Sequence, residues 1–270
     1  PQNPKTPFIQ ILYNKIYIER VFNIFSYSIG TQFMAKIHFF YSSMNAGKTT
    51  HLLQANYNYI NDGFNTLLIK PLIDDRFGIS TIKSRLGFEA DAEPISTDAS
   101  IKDFVLNIHK NKKIDFILAD EVQFFSHDQI HELGYLADQH NITIMAYGLR
   151  NNFLGELFEG TKALFEIANN LTEIKKICHC GQKATMVLRY NNFGEVLRAG
   201  KEIEIGAKGE YVSVCRKDFF NGDIGNQARD NLQKRSTKFN TVQKNRISKE
   251  KHANVISRIM GWSFKNAMKF

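Results

Sequence analysis

At 270 residues the chain is long enough to bury a sizeable core, as one α/β domain with additions or as two small domains. A hydrophobic fraction of 43% excludes an intrinsically disordered chain, and three cysteines are too few for a disulfide framework and suit a reducing, cytoplasmic setting. The net charge of +8 invites a nucleic-acid partner, but residues 221–270 hold 11 Lys and Arg against 3 Asp and Glu, and residues 1–33 hold 3 against 1. The body, 34–220, is left slightly acidic, with 21 against 23.

Residues 1–33 carry Pro1, Pro4 and Pro7, then apolar residues interrupted by Asn14, Lys15, Glu19, Arg20 and Asn23. That is a poor signal-peptide core, and no run in the chain approaches transmembrane length. Met34 precedes the first convincing strand and reads as the natural start, which makes 1–33 an upstream extension outside the fold; the alternative is an added amphipathic helix. Ile37 to Tyr41 is a short apolar run that predicts a buried strand. A small-residue turn and Gly47-Lys48-Thr49 follow, then a helix from Thr50 with Leu52, Leu53 and Tyr57 at helical spacing.

Strand, turn and helix in that order give the context of a phosphate-binding loop, whose backbone N–H groups and helix N-terminus converge on one anion. Lys48 would reach the β- and γ-phosphates, and Thr49 would help hold Mg²⁺. The loop pattern expects glycine five positions before Gly47, where Ser42 stands. An ordinary strand–helix turn holding Gly-Lys-Thr is the alternative.

Further on, Thr66 to Lys70 predicts a second strand, followed by Pro71 and a polar loop with Asp74, Asp75 and Arg76. Residues 100–111 have helical spacing, Ile114 to Ala119 predicts a third strand ending in Asp120-Glu121, 126–140 a helix, and Ile142 to Tyr147 a fourth strand. Strands alternating with helices imply a parallel sheet with right-handed crossovers, and ligands bind beyond the carboxyl ends of such strands. The loop at 42–49, Asp74–Arg76, Asp120–Glu121 and Gly148–Arg150 all lie at such ends. Asp120 would orient the magnesium shell, and Glu121 could accept a proton from a hydroxyl attacking the γ-phosphate; a pair of solvated carboxylates is the alternative.

From about Ile174 the character changes to a small β-rich module, bracketed by Cys178-His-Cys180 and Cys215. Three cysteines give three of the four ligands of a structural zinc, with Asp218 or His179 as the fourth; buried free thiols are the alternative.

Read together, Ser42-Ser-Met-Asn-Ala-Gly-Lys-Thr49, Ile73-Asp-Asp-Arg-Phe77, Asp120-Glu-Val-Gln-Phe124, Tyr147-Gly-Leu-Arg150, Gly155-Glu-Leu-Phe158, Cys178-His-Cys-Gly181 and Tyr211-Val-Ser-Val-Cys-Arg216 resemble bacterial thymidine kinases of the type II family. The match runs in one order from Met34 to about Phe220, and some bacterial members of the family carry serine where Ser42 stands. The resemblance implies a RecA-like P-loop α/β domain over 34–173, a zinc-bearing β-rich lasso domain over 174–220 and a basic tail over 221–270, usually assembled as a homotetramer. It implies transfer of the γ-phosphate of ATP to the 5′-hydroxyl of thymidine, and of deoxyuridine, to make dTMP in nucleotide salvage, with dTTP as feedback inhibitor.

Carried over residue by residue, Glu121 is the proton acceptor. Ser42, Ser43, Met44, Asn45, Ala46, Gly47, Lys48, Thr49, Asp74, Asp75, Arg76, Asp120, Glu121, Val122 and Gln123 contact ATP and Mg²⁺. Met44, Phe153, Leu154, Glu202, Ile203, Glu204, Ile205, Gly206 and Tyr211 are the thymidine contacts, and Cys178, Cys180, Cys215 and Asp218 hold structural Zn²⁺. Bacterial members with Cys-x-Cys usually carry His where Asp218 stands. A different class of function, a RecA-like DNA-stimulated ATPase, would use the basic tail for phosphate contacts. A catalytically dead nucleotide-binding module is a third reading, opposed by Lys48, Thr49, Asp120 and Glu121.

Overall fold

The computed structural model describes residues 35–200 and 210–234. Its centre is a six-stranded, wholly parallel sheet built from β1 (Ile37–Ser42), β2 (Thr66–Pro71), β5 (Glu93–Ile95), β6 (Phe116–Ala119), β7 (Thr143–Leu149) and β8 (Asn170–Glu173), in the order β5-β2-β6-β7-β1-β8. Side chains alternate across it with the period of two that a pleated strand imposes. Ile37, Phe39, Ile69, Ile117, Ala119, Ile144 and Ala146 face one apolar layer; Leu68, Leu118, Met145 and Tyr147 face the other. Covering both faces is what makes the central strands read as unbroken apolar runs.

The first layer is closed by α2 (Ile101–His109), α3 (His127–His140) and α4 (Glu159–Ile167), through Ile101, Val105, Ile130, Leu133, Leu136 and Leu164. The second is closed by α1 (Lys48–Asn61), through Leu52 and Leu53, and by Ile82 on the antiparallel hairpin β3 (Thr81–Lys83) to β4 (Glu89–Asp91). Serines set the starts of two helices. The Ser100 side chain accepts from the Asp103 N–H, and Ser126 forms a capping box with Gln129. No helix among the described residues is long and apolar enough to cross a membrane.

A three-stranded antiparallel sheet follows, with β9 (Met186–Tyr190) between β10 (Val196–Leu197) and β11 (Glu210–Val214). Its own apolar cluster gathers Cys178, Leu188, Tyr190, Val214, Cys215 and Phe219, the last on the short helix α5 (Arg216–Asn221). A further helical stretch covers 226–234.

Several boundaries differ from the sequence reading. The first helix begins at Lys48, not Thr50, because the His51 N–H already bonds the Gly47 carbonyl at 3.0 Å. Small polar residues in that turn carry no periodic signal. Tyr57 is 70% exposed, so the buried face of α1 is Leu52, Leu53 and Asn56. Strands β3, β4, β5 and β8 are three or four residues long and left no readable alternation in the sequence.

Candidate functional site

The carboxyl ends of β1, β2, β6 and β7 deliver four segments to one edge of the sheet. After β1 the chain turns through Asn45 at φ 60° and Gly47 at φ 92°, left-handed conformations that glycine and asparagine tolerate best. The turn leads into the N-terminus of α1, where Lys48 is buried and donates from Nζ to Ser42 Oγ at 3.1 Å and to the Ser43 carbonyl at 3.3 Å. Burial lowers its pKa, with the Glu121 and Asp120 carboxylates pulling back up. Asn45 and Gly47 are exposed, and Met44 and Ala46 are half-buried.

Thr49 on α1 donates from Oγ1 to Asp120 Oδ2 at 3.0 Å. This joins the first helix to the end of β6, two strands away. Burial and the adjacent Glu121 charge push the Asp120 carboxyl up to about 7. Glu121 lies in the left-handed region at φ 50°, sparsely populated for a residue with a side chain. Its Oε1 pairs with the Arg76 guanidinium, and its Oε2 accepts from Gln123 Nε2 at 2.6 Å. Burial raises its pKa, but the charges of Arg76 and Lys48 and the hydrogen bonds from Gln123 and Arg76 together outweigh burial and leave it below the ordinary glutamate value.

Gln123 in turn accepts the Leu149 N–H on its Oε1 at 2.9 Å, tying the acidic turn to the end of β7. Glycine is required there: a Cβ on Gly148 would lie 2.7 Å from Val122 Cγ2. Arg76 also donates from Nε to Asp74 Oδ1 at 2.5 Å, so Asp74, Arg76, Glu121 and Gln123 form one connected chain. Asp75 is exposed, and the Val122 side chain is fully buried in the apolar core, which leaves only its backbone to face the site.

Phe153 is buried and Leu154 half-buried beyond β7. The Arg189 guanidinium lies 5.3 Å from the centre of the Phe153 ring and 5.9 Å from that of Tyr211, bringing these two sequence-predicted residues around one cation. The predicted contacts Glu202, Ile203, Glu204, Ile205 and Gly206 lie outside the described residues, as do 1–33 and the tail beyond 234.

Cys178, Cys180, Cys215 and Asp218 converge, with all their candidate ligand atoms within 4.8 Å of one another. Two local structures present them. A tight turn, closed by Cys178 N–H to the Gln182 carbonyl at 2.7 Å, carries Cys178 and Cys180; Cys215 caps α5, which carries Asp218 in its first turn. Cys178 Sγ lies 3.1 Å from Asp218 Oδ2, and Cys180 Sγ 3.7 Å from Cys215 Sγ. His179 stands beside this set and faces Asp218 Oδ2 and Asp223 Oδ2 through Nε2, each at 3.4 Å. Three thiols and one carboxylate at this spacing suit a tetrahedral divalent ion of the zinc type.

Four residues that the sequence reading passed over belong to this region. Lys70 is 1% exposed on β2 and donates to the carbonyls of Gly78 and Thr81 at 2.9 and 3.0 Å, pinning the loop that carries Asp74 and Arg76. A lone lysine in an apolar strand was its signal. Arg189 and Ser213 sit in the paired strands β9 and β11, where alternation and motif alone assign no role to a single side chain, and Lys176 sits in the link after β8, so none was singled out.

Strand, left-handed turn, buried lysine and a threonine facing an acidic pair are the arrangement of P-loop proteins that bind nucleoside triphosphates. The comparisons are narrower. The thymidine kinase family model matches residues 35–219, and the chain belongs to that family. It is 45% identical to the thymidine kinase of Shewanella oneidensis over 186 residues, 69% of this chain and 97% of that relative. The thymidine kinases of Rhodopirellula baltica and Vibrio cholerae are 45% and 44% identical over the same share of this chain, covering 88% and 97% of their own lengths. Among solved structures, the Pif1 helicase from Candida albicans aligns with a TM-score of 0.36 and 12% identity over 61% of this chain and 39% of that one, too slight a likeness to argue from.

Proposed function

We propose that the protein transfers the γ-phosphate of ATP to the 5′-hydroxyl of thymidine, and of deoxyuridine, making dTMP in nucleotide salvage. The observation that carries the reading is the meeting of Lys48, Thr49, Asp120 and Glu121 at one sheet edge in a member of the thymidine kinase family. Residues 42–49 cradle the phosphates with backbone N–H groups, and Lys48 exchanges its bonds to Ser42 and Ser43 for phosphate oxygens. Thr49 and Asp120 would hold magnesium, and their 3.0 Å approach in a buried, partly anionic corner fits a hard cation with oxygen ligands. When bound with ATP, magnesium would supply neutralisation of phosphate charge.

Glu121 is the proton acceptor for the 5′-hydroxyl. Its pairing with Arg76 keeps it ionised but makes it a weak base. ATP phosphates that draw Arg76 toward them leave Glu121 more basic at the moment the hydroxyl must lose its proton. Asp74 and Gln123 hold this pair from either side. Met44, Phe153, Leu154 and Tyr211 form the thymidine side of the reading, with Glu202, Ile203, Glu204, Ile205 and Gly206.

In the same reading 34–173 is the P-loop kinase domain and 174–220 a lasso domain with zinc held by Cys178, Cys180, Cys215 and Asp218. Zinc, when bound, supplies a cross-link between the 178–180 turn and α5. A cytoplasmic homotetramer inhibited by dTTP completes the proposal; its support is the family alone.

The test is to incubate the purified chain with Mg-ATP and thymidine and score dTMP, measuring ATP hydrolysis with and without single-stranded DNA. dTMP formation with hydrolysis indifferent to DNA is expected. DNA-stimulated hydrolysis without dTMP would replace the kinase with an ATPase.

A further inference from the structure

We propose that Lys176 and Ser213 are positioning residues for phosphoryl transfer, holding the Met44 carbonyl so that the phosphate loop keeps its binding shape. The proposal rests on the reading of 42–49 as that loop. Lys176, between β8 and the cysteine turn, donates from Nζ to the Met44 carbonyl at 3.1 Å. Ser213 on β11 donates from Oγ to the same oxygen at 2.7 Å. Neither donor is a sequence neighbour: they lie 132 and 169 residues from Met44.

A loop that turns its N–H groups inward toward an anion must turn its carbonyls outward, and each buried carbonyl then needs a donor. Around this loop the donors can be named. The Ser42 carbonyl accepts from the Arg150 N–H at 2.9 Å, and the Ser43 carbonyl from Ser42 Oγ and Lys48 Nζ. The Gly47 carbonyl belongs to α1. Met44 is served by Lys176 and Ser213, which fill both lone pairs of its oxygen.

The peptide unit explains why this matters. It is planar and trans, so the Met44 carbonyl and the Asn45 N–H point in opposite directions. Fixing the oxygen from outside fixes the Asn45 N–H toward the inside of the turn. Asn45 already carries φ 60°, a conformation that an L-residue leaves readily when nothing holds it. Ser213 is 4% exposed and paired through β11 to Val187 of β9, so its hydroxyl is delivered by a rigid element. Two donors on one acceptor, one of them cationic, make a stiff clamp between the C-terminal sheet and the phosphate loop.

The experiment measures ATP binding calorimetrically with Mg²⁺ and without thymidine, together with zinc content and Tm. Ser213→Ala should weaken ATP binding by about 3- to 10-fold, the usual range for a lost neutral hydrogen bond, Lys176→Met by about 10-fold or more because its donor is charged, and the double variant by more than either. Ser213→Thr should restore affinity, and Tm and zinc content should change little, whereas loss of fold alone would move those two and leave the affinity of the folded fraction intact. A folded double variant that binds ATP within about twofold of the parent would overturn the proposal. If it does not fold, equal ATP affinity of Ser213→Ala and Ser213→Thr overturns it just as well. Lys48→Ala separates the two layers of the argument. Undiminished ATP binding there sinks the phosphate-loop reading and the clamp with it; loss there, with the clamp variants normal, sinks the clamp alone.

Discussion

Glu121 holds a left-handed backbone conformation at φ 50° between two partners that fix each of its carboxylate oxygens. The adjacency of Asp120 and Glu121 after an apolar strand was legible in the sequence, and so was their meeting with Lys48 and Thr49. The backbone twist that separates their side chains was not, because no residue pattern encodes it. Nor could the sequence reading separate Val122 from its neighbours: it sits inside a functional motif but spends its side chain in the core. His38 on β1 offers a test at this scale. Burial and the charge of Lys36 lower its pKa from the ordinary value of 6.5, and its Nδ1 faces Asn170 Nδ2 at 3.3 Å. The folded state therefore resists protonation more than the unfolded chain. Its contribution to stability is present above that ordinary value and is lost as pH falls through the lowered one. Tm measured from pH 7.5 down to about 5 should fall less steeply in His38→Gln than in the parent; parallel curves would show that His38 does not titrate as described.

At the scale of elements, α4 packs so closely on the 3-10 turn Val122–Phe124 that Gly160 touches its backbone. A Cβ at 160 would lie 2.3 Å from the Val122 carbonyl and 2.7 Å from that of Phe125, positions that cannot yield as a flexible side chain would. Gly160→Ala should destabilise the fold by about 1–3 kcal/mol, the range for overpacking, and reduce kcat because the displaced turn carries Gln123. Wild-type Tm and kcat would show that the turn gives way freely. The cysteine cluster is likewise a property of two elements brought together. The grouping of Cys178, Cys180, Cys215 and Asp218 was readable in the sequence, while the turn and α5 that bring their candidate ligand atoms within 4.8 Å of one another were not. Protein purified without chelators should carry stoichiometric zinc. Asp218→His should keep the metal, Asp218→Ala should weaken it, and Cys215→Ser should lose it with a lower Tm. Active, stable protein without zinc would mean that these thiols only pack.

At the scale of the whole molecule, the parallel sheet was legible because covered strands must be apolar runs and the crossovers must be helical. The short strands and the second sheet were less so, since their pairing depends on residues far apart, such as Ser213 with Val187. Charge was informative once divided: the body is slightly acidic, and the basic excess lies toward the ends. The same division puts the proposed chemistry between 42 and 218. The central claim is that Glu121, set at the mouth of a phosphate loop, takes the proton of the attacking hydroxyl. Its most direct test is the kcat of Glu121→Gln with Mg-ATP and thymidine, with ATP affinity measured alongside. The account predicts a loss of about 10²–10⁴ in kcat, the usual worth of a positioned base, with ATP binding nearly unchanged. Near-normal turnover in the folded variant would contradict it.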